Sequence, residues 1–261
     1  MKKKFITEFL LLFFLGGLTS LSLPPFNLFI INFFTFSIFF GLLFKNLNKR
    51  IEKKIFFFYG WFFGCGYFLS SLYWITISLS FDKNFSFLIP IALIFIPSFL
   101  ALFYGLITLL FYLFNPKNIL SAFFSFSVFF GIVEFIRGSI LTGFPWNLIV
   151  YSFSKNLSLL SILSLIGTYS LNLIVISFFT APAIYILRKS KKEIGVCIFL
   201  VLLPIIFFTH GNFQKKQFKN KELKEIQYTI RIIGSNISLD RFYNNIESEK
   251  VINELISISA P

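Results

Sequence analysis

Residues Phe87–Phe114 read FLIPIALIFIPSFLALFYGLITLLFYLF, 28 residues without an Asp, Glu, Lys, Arg or His. At about 1.5 Å per residue, a helix of that length exceeds the roughly 30 Å hydrocarbon core of a bilayer. Working outward, comparable apolar runs cover Phe5–Ser22, Phe26–Phe44 and Ile55–Leu79 before it, and Ile119–Ile136, Leu157–Leu187 and Ile194–Thr209 after it. The pattern predicts an all-α membrane bundle of seven transmembrane helices. Leu157–Leu187 is longer than a bilayer requires, so its first turns are expected at the interface. The last run is short and contains Pro204.

Composition agrees. Of 261 residues, 56% are hydrophobic and 13% charged, with 42 Phe and a mean hydropathy of +0.81; soluble domains carry about 25% charge. A soluble globular fold is excluded. The abundance of Phe, Ile, Asn and Lys matches AT-rich codons, so aromatic content is weak grounds for a binding function. Cys65 and Cys197 each lie inside an apolar run, and His210 is the single histidine. Neither a disulfide framework nor a zinc or imidazole metal site can be built from them.

A net charge of +13 invites a nucleic-acid reading, but the charges sit between the apolar runs. With the N-terminus inside, the inner segments hold 13 Lys and Arg (Lys2–Lys4, Lys45, Lys49, Arg50, Lys53, Lys54, Lys117, Arg188, Lys189, Lys191 and Lys192), and the outer ones hold Lys83, Arg137 and Lys155. Basic residues are retained on the cytoplasmic side during insertion. The expectation is a cytoplasmic N-terminus, a chain leaving the last helix on the outer face, and no nucleic-acid partner. Lys2–Lys4 followed by an apolar stretch resembles a secretory signal, but no A-x-A-like cleavage site follows, so it reads as an uncleaved first helix.

Beyond the transmembrane domain (residues 1–209), residues 210–225 form a polar, lysine-rich linker and 226–261 have the density of a soluble fold. Ile226, Tyr228, Ile230 and Ile232 alternate with polar residues as a strand would, and Ile246, Val251, Leu255 and Ile258 share a helical face within Asn244–Ser259. A strand and a helix open an α/β domain that is too short to bury a core alone. The chain is therefore expected to be a truncated or split product.

The sequence holds no Gly-rich phosphate loop, no G-x-S-x-G elbow and no His-based triad. Cys65, within Gly64-Cys65-Gly66, and Cys197 read as packing residues. One constellation stands out: Glu134 and Arg137 spaced i, i+3, then Gly138, Thr142, Gly143, Phe144, Pro145, Trp146 and Asn147. An ionisable pair at membrane depth marks a functional site by default, while the bland alternative is an interfacial anchor with a structural ion pair. On the functional reading Arg137 faces a phosphate, Glu134 orients it, and Gly143 to Pro145 hold Trp146 as a platform.

These residues carry a resemblance. Glu134-x-x-Arg137-Gly138 with Thr142-Gly143-Phe144-Pro145-Trp146 looks like the signature of the bacterial apolipoprotein N-acyltransferases. Leu23-Pro24-Pro25-Phe26-Asn27, Gly60-Trp61 to Gly66, Tyr73-Trp74-Ile75, Gly167 with Asn172, and Gly234-Ser235-Asn236-Ile237 agree. A Gln commonly precedes that Asn by two residues, where Gly234 stands here. The resemblance implies a multi-pass enzyme of the inner membrane that moves an acyl chain from a phospholipid donor to the N-terminal diacylglyceryl-cysteine of a lipoprotein acceptor, without cofactors. It further implies an outward-facing nitrilase-like domain whose Glu, Lys and Cys act as base, oxyanion stabiliser and nucleophile. Those three are expected beyond Pro261, so no catalytic residue is assigned, the chain alone is expected to be inactive, and a second chain carrying the rest of that domain is a candidate partner. The alternative is a non-catalytic polytopic protein, a lipid-handling scaffold or transporter subunit.

Overall fold

A computed structural model describes residues 2–47, 49, 51–81, 83–141, 143–221, 232, 234–237, 241 and 245–259. The chain divides into two units, Met1–Lys219 and Asn220–Pro261.

The first unit is helical: α1 Lys2–Ser20, α2 Ile31–Leu47, α3 Lys53–Leu72, α4 Ile89–Phe114, α5 Ile119–Ser139, the single turns α6 Leu157–Leu160 and α7 Leu163–Ile166, then α8 Thr168–Leu187 and α9 Lys191–Lys219. Among the described residues, five helical segments are long and apolar enough to cross a membrane: Lys53–Ser80, Asn84–Phe114, Ile119–Ser139, Thr168–Leu187 and Lys191–Lys219. The expected count was seven. α2 has 17 residues, about 25 Å of helix, and α1 has 19 residues that open with Lys2–Lys4 and include Glu8.

Boundaries follow local chemistry. The turn from α4 to α5 is set by Asn115 in the left-handed region (φ 48°) and by Asn118, whose Oδ1 accepts from Ser121 N at 2.8 Å as an N-cap. The run Leu157–Leu187 is not one helix. It breaks into α6 and α7 and turns at Gly167 (φ 78°) before α8. α9 is longer than its apolar stretch, continuing past Thr209 to Lys219 through residues whose composition suggests a linker. Helical hydrogen bonding carries the polar residues 210–219 along with the apolar turns before them.

Lipid supplies no hydrophobic force between helices, so association rests on close packing. α3 is the central element, and its glycines admit its neighbours. A Cβ on Gly66 would lie 1.9 Å from Phe13 O of α1, and one on Gly60 would lie 2.0 Å from Tyr104 O of α4. Around this contact the aromatics interlock: Phe39 stacks on Phe63 at 4.3 Å, Phe126 meets Phe130 at 4.9 Å, and Phe130 meets Tyr104 edge-on at 5.3 Å.

The two ends differ. At one end Lys49 Nζ donates to Asn46 Oδ1 (2.7 Å), Asn46 Nδ2 donates to Tyr59 Oη (3.1 Å), and Tyr59 Oη donates to Glu8, joining α1, α2 and α3. This end carries the basic connections between α2 and α3, α4 and α5, and α8 and α9. At the other end Ser158 Oγ donates to Asn212 Oδ1 at 2.7 Å, so the chain leaves α9 beside α6, away from the basic end.

In the second unit, α10 (Asn245–Ser259) matches the helix read from the sequence, and Arg241 binds Glu247 at 3.1 Å and Glu254 at 3.0 Å. The strand expected over Ile226–Ile233 lies, except for Ile232, outside the described residues. Residues 232 and 234–237 have no regular secondary structure, and no strand occurs among the described residues.

Candidate functional site

The loop after α5 is built on one buried cation. Arg137 and Glu134 are each 1% exposed, although their spacing at a helix end suggests an outward-facing pair. Arg137 Nε donates to Glu134 Oε2 at 2.7 Å and Nη2 reaches the same oxygen. Nη1 donates to Phe144 O at 2.6 Å, Nη2 donates to Trp146 O at 3.1 Å, and the Phe68 ring lies 5.3 Å from the guanidinium carbon. Four donor contacts of a group with five N–H bonds are thus spent inside the protein. The guanidinium is turned into the protein. It clamps the loop, and Glu134 holds the clamp. Glu134 Oε1 and Tyr104 Oη are both buried without a hydrogen-bond partner.

The backbone closes around this pair. Gly143 N donates to Ile140 O at 2.8 Å and Phe144 N to Arg137 O at 3.1 Å. Gly143 takes φ 77°, and a Cβ there would meet Gly138 O at 2.5 Å, so the turn requires glycine. Thr142 lies outside the described residues. Pro145 and Trp146 are exposed, and Trp146 stacks on Trp74 with centroids 5.5 Å apart and planes 17° apart.

These two rings wall a cavity of about 520 Å³ at the end opposite the basic connections. Its lining comes from three places: Ser20, Leu23, Pro24, Pro25 and Phe26 around the turn after α1; Ser70, Ser71, Tyr73 and Trp74 at the end of α3; and Trp146, Asn147, Tyr151 and Ser154 in the loop after α5. Polar contacts lock them together. Tyr67 Oη donates to Asn147 O at 2.6 Å, Asn147 Nδ2 to Ser71 Oγ at 2.6 Å, and Ser154 Oγ to Asn27 Oδ1 at 3.1 Å. Asn172, fully buried in α8, accepts from Val150 N at 3.0 Å and so pins the loop's helical turn from beneath. Burial pushes the Tyr151 phenol above its ordinary range, Tyr169 adds to the shift, and Arg137 opposes it.

Of the residues predicted as lipid-facing, only Trp146 lines the cavity. Glu134, Arg137 and Gly143 shape the loop that bears Trp146, and Pro145 is exposed outside the lining. Ser20, Ser70, Ser71, Tyr151 and Ser154 are not marked in the sequence, because serines and a tyrosine beside apolar residues carry no motif. The available signal was that three of the quoted segments, Leu23–Asn27, Tyr73–Ile75 and Thr142–Asn147, had to converge somewhere. Among the described residues no cluster of His, Cys, Asp and Glu could hold a metal. Cys65 is buried, and Cys197 is half-buried with its thiol 3.6 Å from Ala181 O.

Architecture and cavity together define a polytopic helical membrane domain with an aromatic-walled, hydroxyl-lined recess at one end. Residues 15–181 match the family described as apolipoprotein N-acyltransferase N-terminal domain. The chain is 31% identical over 251 residues to an apolipoprotein N-acyltransferase of Rhodopseudomonas palustris, covering 94% of this chain and 46% of that protein. It is 28% identical over 260 residues to that of Brucella melitensis (95% and 47%) and 39% identical over 195 residues to that of Rickettsia prowazekii (74% and 38%). The chain belongs to the apolipoprotein N-acyltransferase N-terminal domain family. It spans a little under half the length of the curated relatives it matches.

Proposed function

We propose that this chain is the membrane domain of an apolipoprotein N-acyltransferase of the bacterial inner membrane, and that the Trp74–Trp146 cavity receives the lipid substrates. On this reading α1 and α2 also cross the bilayer, giving seven spans. The N-terminus is cytoplasmic, and residues 226–261 open a nitrilase-like domain on the periplasmic side. The observation that carries the reading is the convergence of three separate motif segments on one cavity, at the end away from the basic loops. Two aromatic rings at an interface suit glycerol and acyl-chain surfaces, and the serine hydroxyls suit ester oxygens.

The chemistry required is a two-step transfer. A thiolate attacks the phospholipid ester carbonyl, the carbon–oxygen bond breaks, and the lysophospholipid leaves with a proton; the lipoprotein amine then attacks the thioester and the thiol is regenerated. The nucleophile, base and oxyanion-binding cation are assigned to the family's nitrilase-like domain, and not to Cys65 or Cys197, which lie within apolar helices. Acceptor docking and any companion chain fall to that domain as well.

The test is photolabelling of the purified chain in vesicles with a phospholipid carrying a photoreactive group near its glycerol. Label is expected on peptides containing residues 20–26, 70–74 and 146–154, and Trp74→Ala should reduce it about threefold, in line with one lost aromatic contact. Label confined to the outer faces of α4 and α9 would reject the cavity as a lipid site and favour the non-catalytic scaffold.

A further inference from the structure

A second recess lies at the basic end, between α5, α8 and α9, and the acyl-transfer reading makes no use of it. It encloses about 520 Å³ and is walled by Phe123, Leu173, Ile174, Phe199 and Leu203, with Lys192 at one end. α9 rests on α6 and α8, and the recess opens between it and α5. From Lys192 to Leu203 α9 advances about 17 Å, close to half the roughly 30 Å hydrocarbon core, so the recess has the depth of one leaflet. Gly195 borders it, and a Cβ there would meet no atom within 4 Å, so the space beside the helix is open. Lys192 stands at its mouth; Arg188, Lys189 and Lys191 precede it in the chain, and the Arg188 guanidinium is turned to Tyr185, donating to its carbonyl and lying 4.0 Å over its ring. The neighbouring acid, Glu193, is taken up by Ser190, whose backbone N donates to it at 2.9 Å and whose hydroxyl also donates.

We propose that this groove binds one anionic phospholipid from the leaflet at the basic end, its phosphate against Lys192 and one acyl chain lying along α9 past Gly195 to Leu203. The apolar walls accept the chain, and Lys192 at the mouth selects the negative headgroup. The bound lipid fills the recess between α9 and α5. It does not depend on the chain's part in acyl transfer, because groove and cavity lie at opposite ends of the bundle.

The experiment is native mass spectrometry of the chain released from nanodiscs containing phosphatidylglycerol and phosphatidylcholine of identical acyl chains. The wild type should retain phosphatidylglycerol preferentially, and Lys192→Gln should reduce that preference about fivefold. Gly195→Leu, which fills the groove, should lower retention of both lipids while leaving helical content unchanged. The paired substitutions Lys53→Gln and Lys54→Gln, on a separate surface beside Phe57 and Phe58, control for charge in general and should leave the preference intact. Equal retention of the two lipids by the wild type, undiminished retention by Gly195→Leu, or an equal fall in the Lys53/Lys54 control would overturn the proposal.

Discussion

Arg137 shows how a single buried side chain organises a loop that the backbone could not hold alone. Its guanidinium answers one carboxylate oxygen and two carbonyls at 2.6 and 3.1 Å, so removing it strands Glu134 and two loop acceptors together. Breaking a buried pair from one side costs about 3–5 kcal/mol. Arg137→Ala and Glu134→Ala should each lower the unfolding midpoint in detergent by that order, and Arg137→Lys should rescue little, since an ammonium cannot reproduce the planar fork. If Arg137→Ala melts like the wild type, the clamp is not what orders the loop. The i, i+3 spacing of the pair was legible in the sequence. Its direction was not, because the partners that turn Arg137 inward, Phe68 and the carbonyls of Phe144 and Trp146, are brought to it by folding.

Among the helices α3 packs backbone to backbone on two neighbours, and its glycines explain why Gly60 to Gly66 forms a recognisable segment. With Phe13 O where a Gly66 Cβ would stand, any side chain there must push α1 away or displace the backbone of α3. Overpacking of this kind costs about 1–3 kcal/mol. Gly66→Ala should therefore destabilise the bundle measurably in a thermal melt, whereas Gly41→Ala, with nothing within 4 Å of the new methyl, should be neutral or slightly stabilising. Equal melts for the two variants would show that α1 and α3 do not approach as closely as described. Helix existence was readable from apolar run length; helix ends were not. α9 runs to Lys219, and the long run after Leu157 is cut at Gly167, because hydrogen bonding and a single left-handed residue override average hydropathy.

For the whole molecule, the separation of basic loops from the cavity predicts sidedness. Reporter fusions or cysteine labelling should place Lys49 and Lys191 on the cytoplasmic side and Lys155 and Lys219 on the other, in keeping with the 13 to 3 distribution of basic residues. Lys155 and Lys191 mapping to the same side would break both the bundle topology and the acyltransferase reading. Arg137, counted among the three outer cations, is neutralised by Glu134 inside the protein, which sharpens the asymmetry of the exposed charges.

What the sequence determined by itself was the solvent of this chain and its family: uninterrupted apolar runs exclude an aqueous fold, and the segment around Arg137 carries the family resemblance. These are local properties, written in consecutive residues. What only the tertiary structure decided was which faces meet. It joined Pro24, Trp74 and Trp146 around one cavity, although they lie far apart in the chain, and turned the Arg137 guanidinium away from lipid and into the protein. Whether a cation at a helix end faces a headgroup or a carbonyl depends on which partner lowers its desolvation cost, and that partner is supplied by packing between elements.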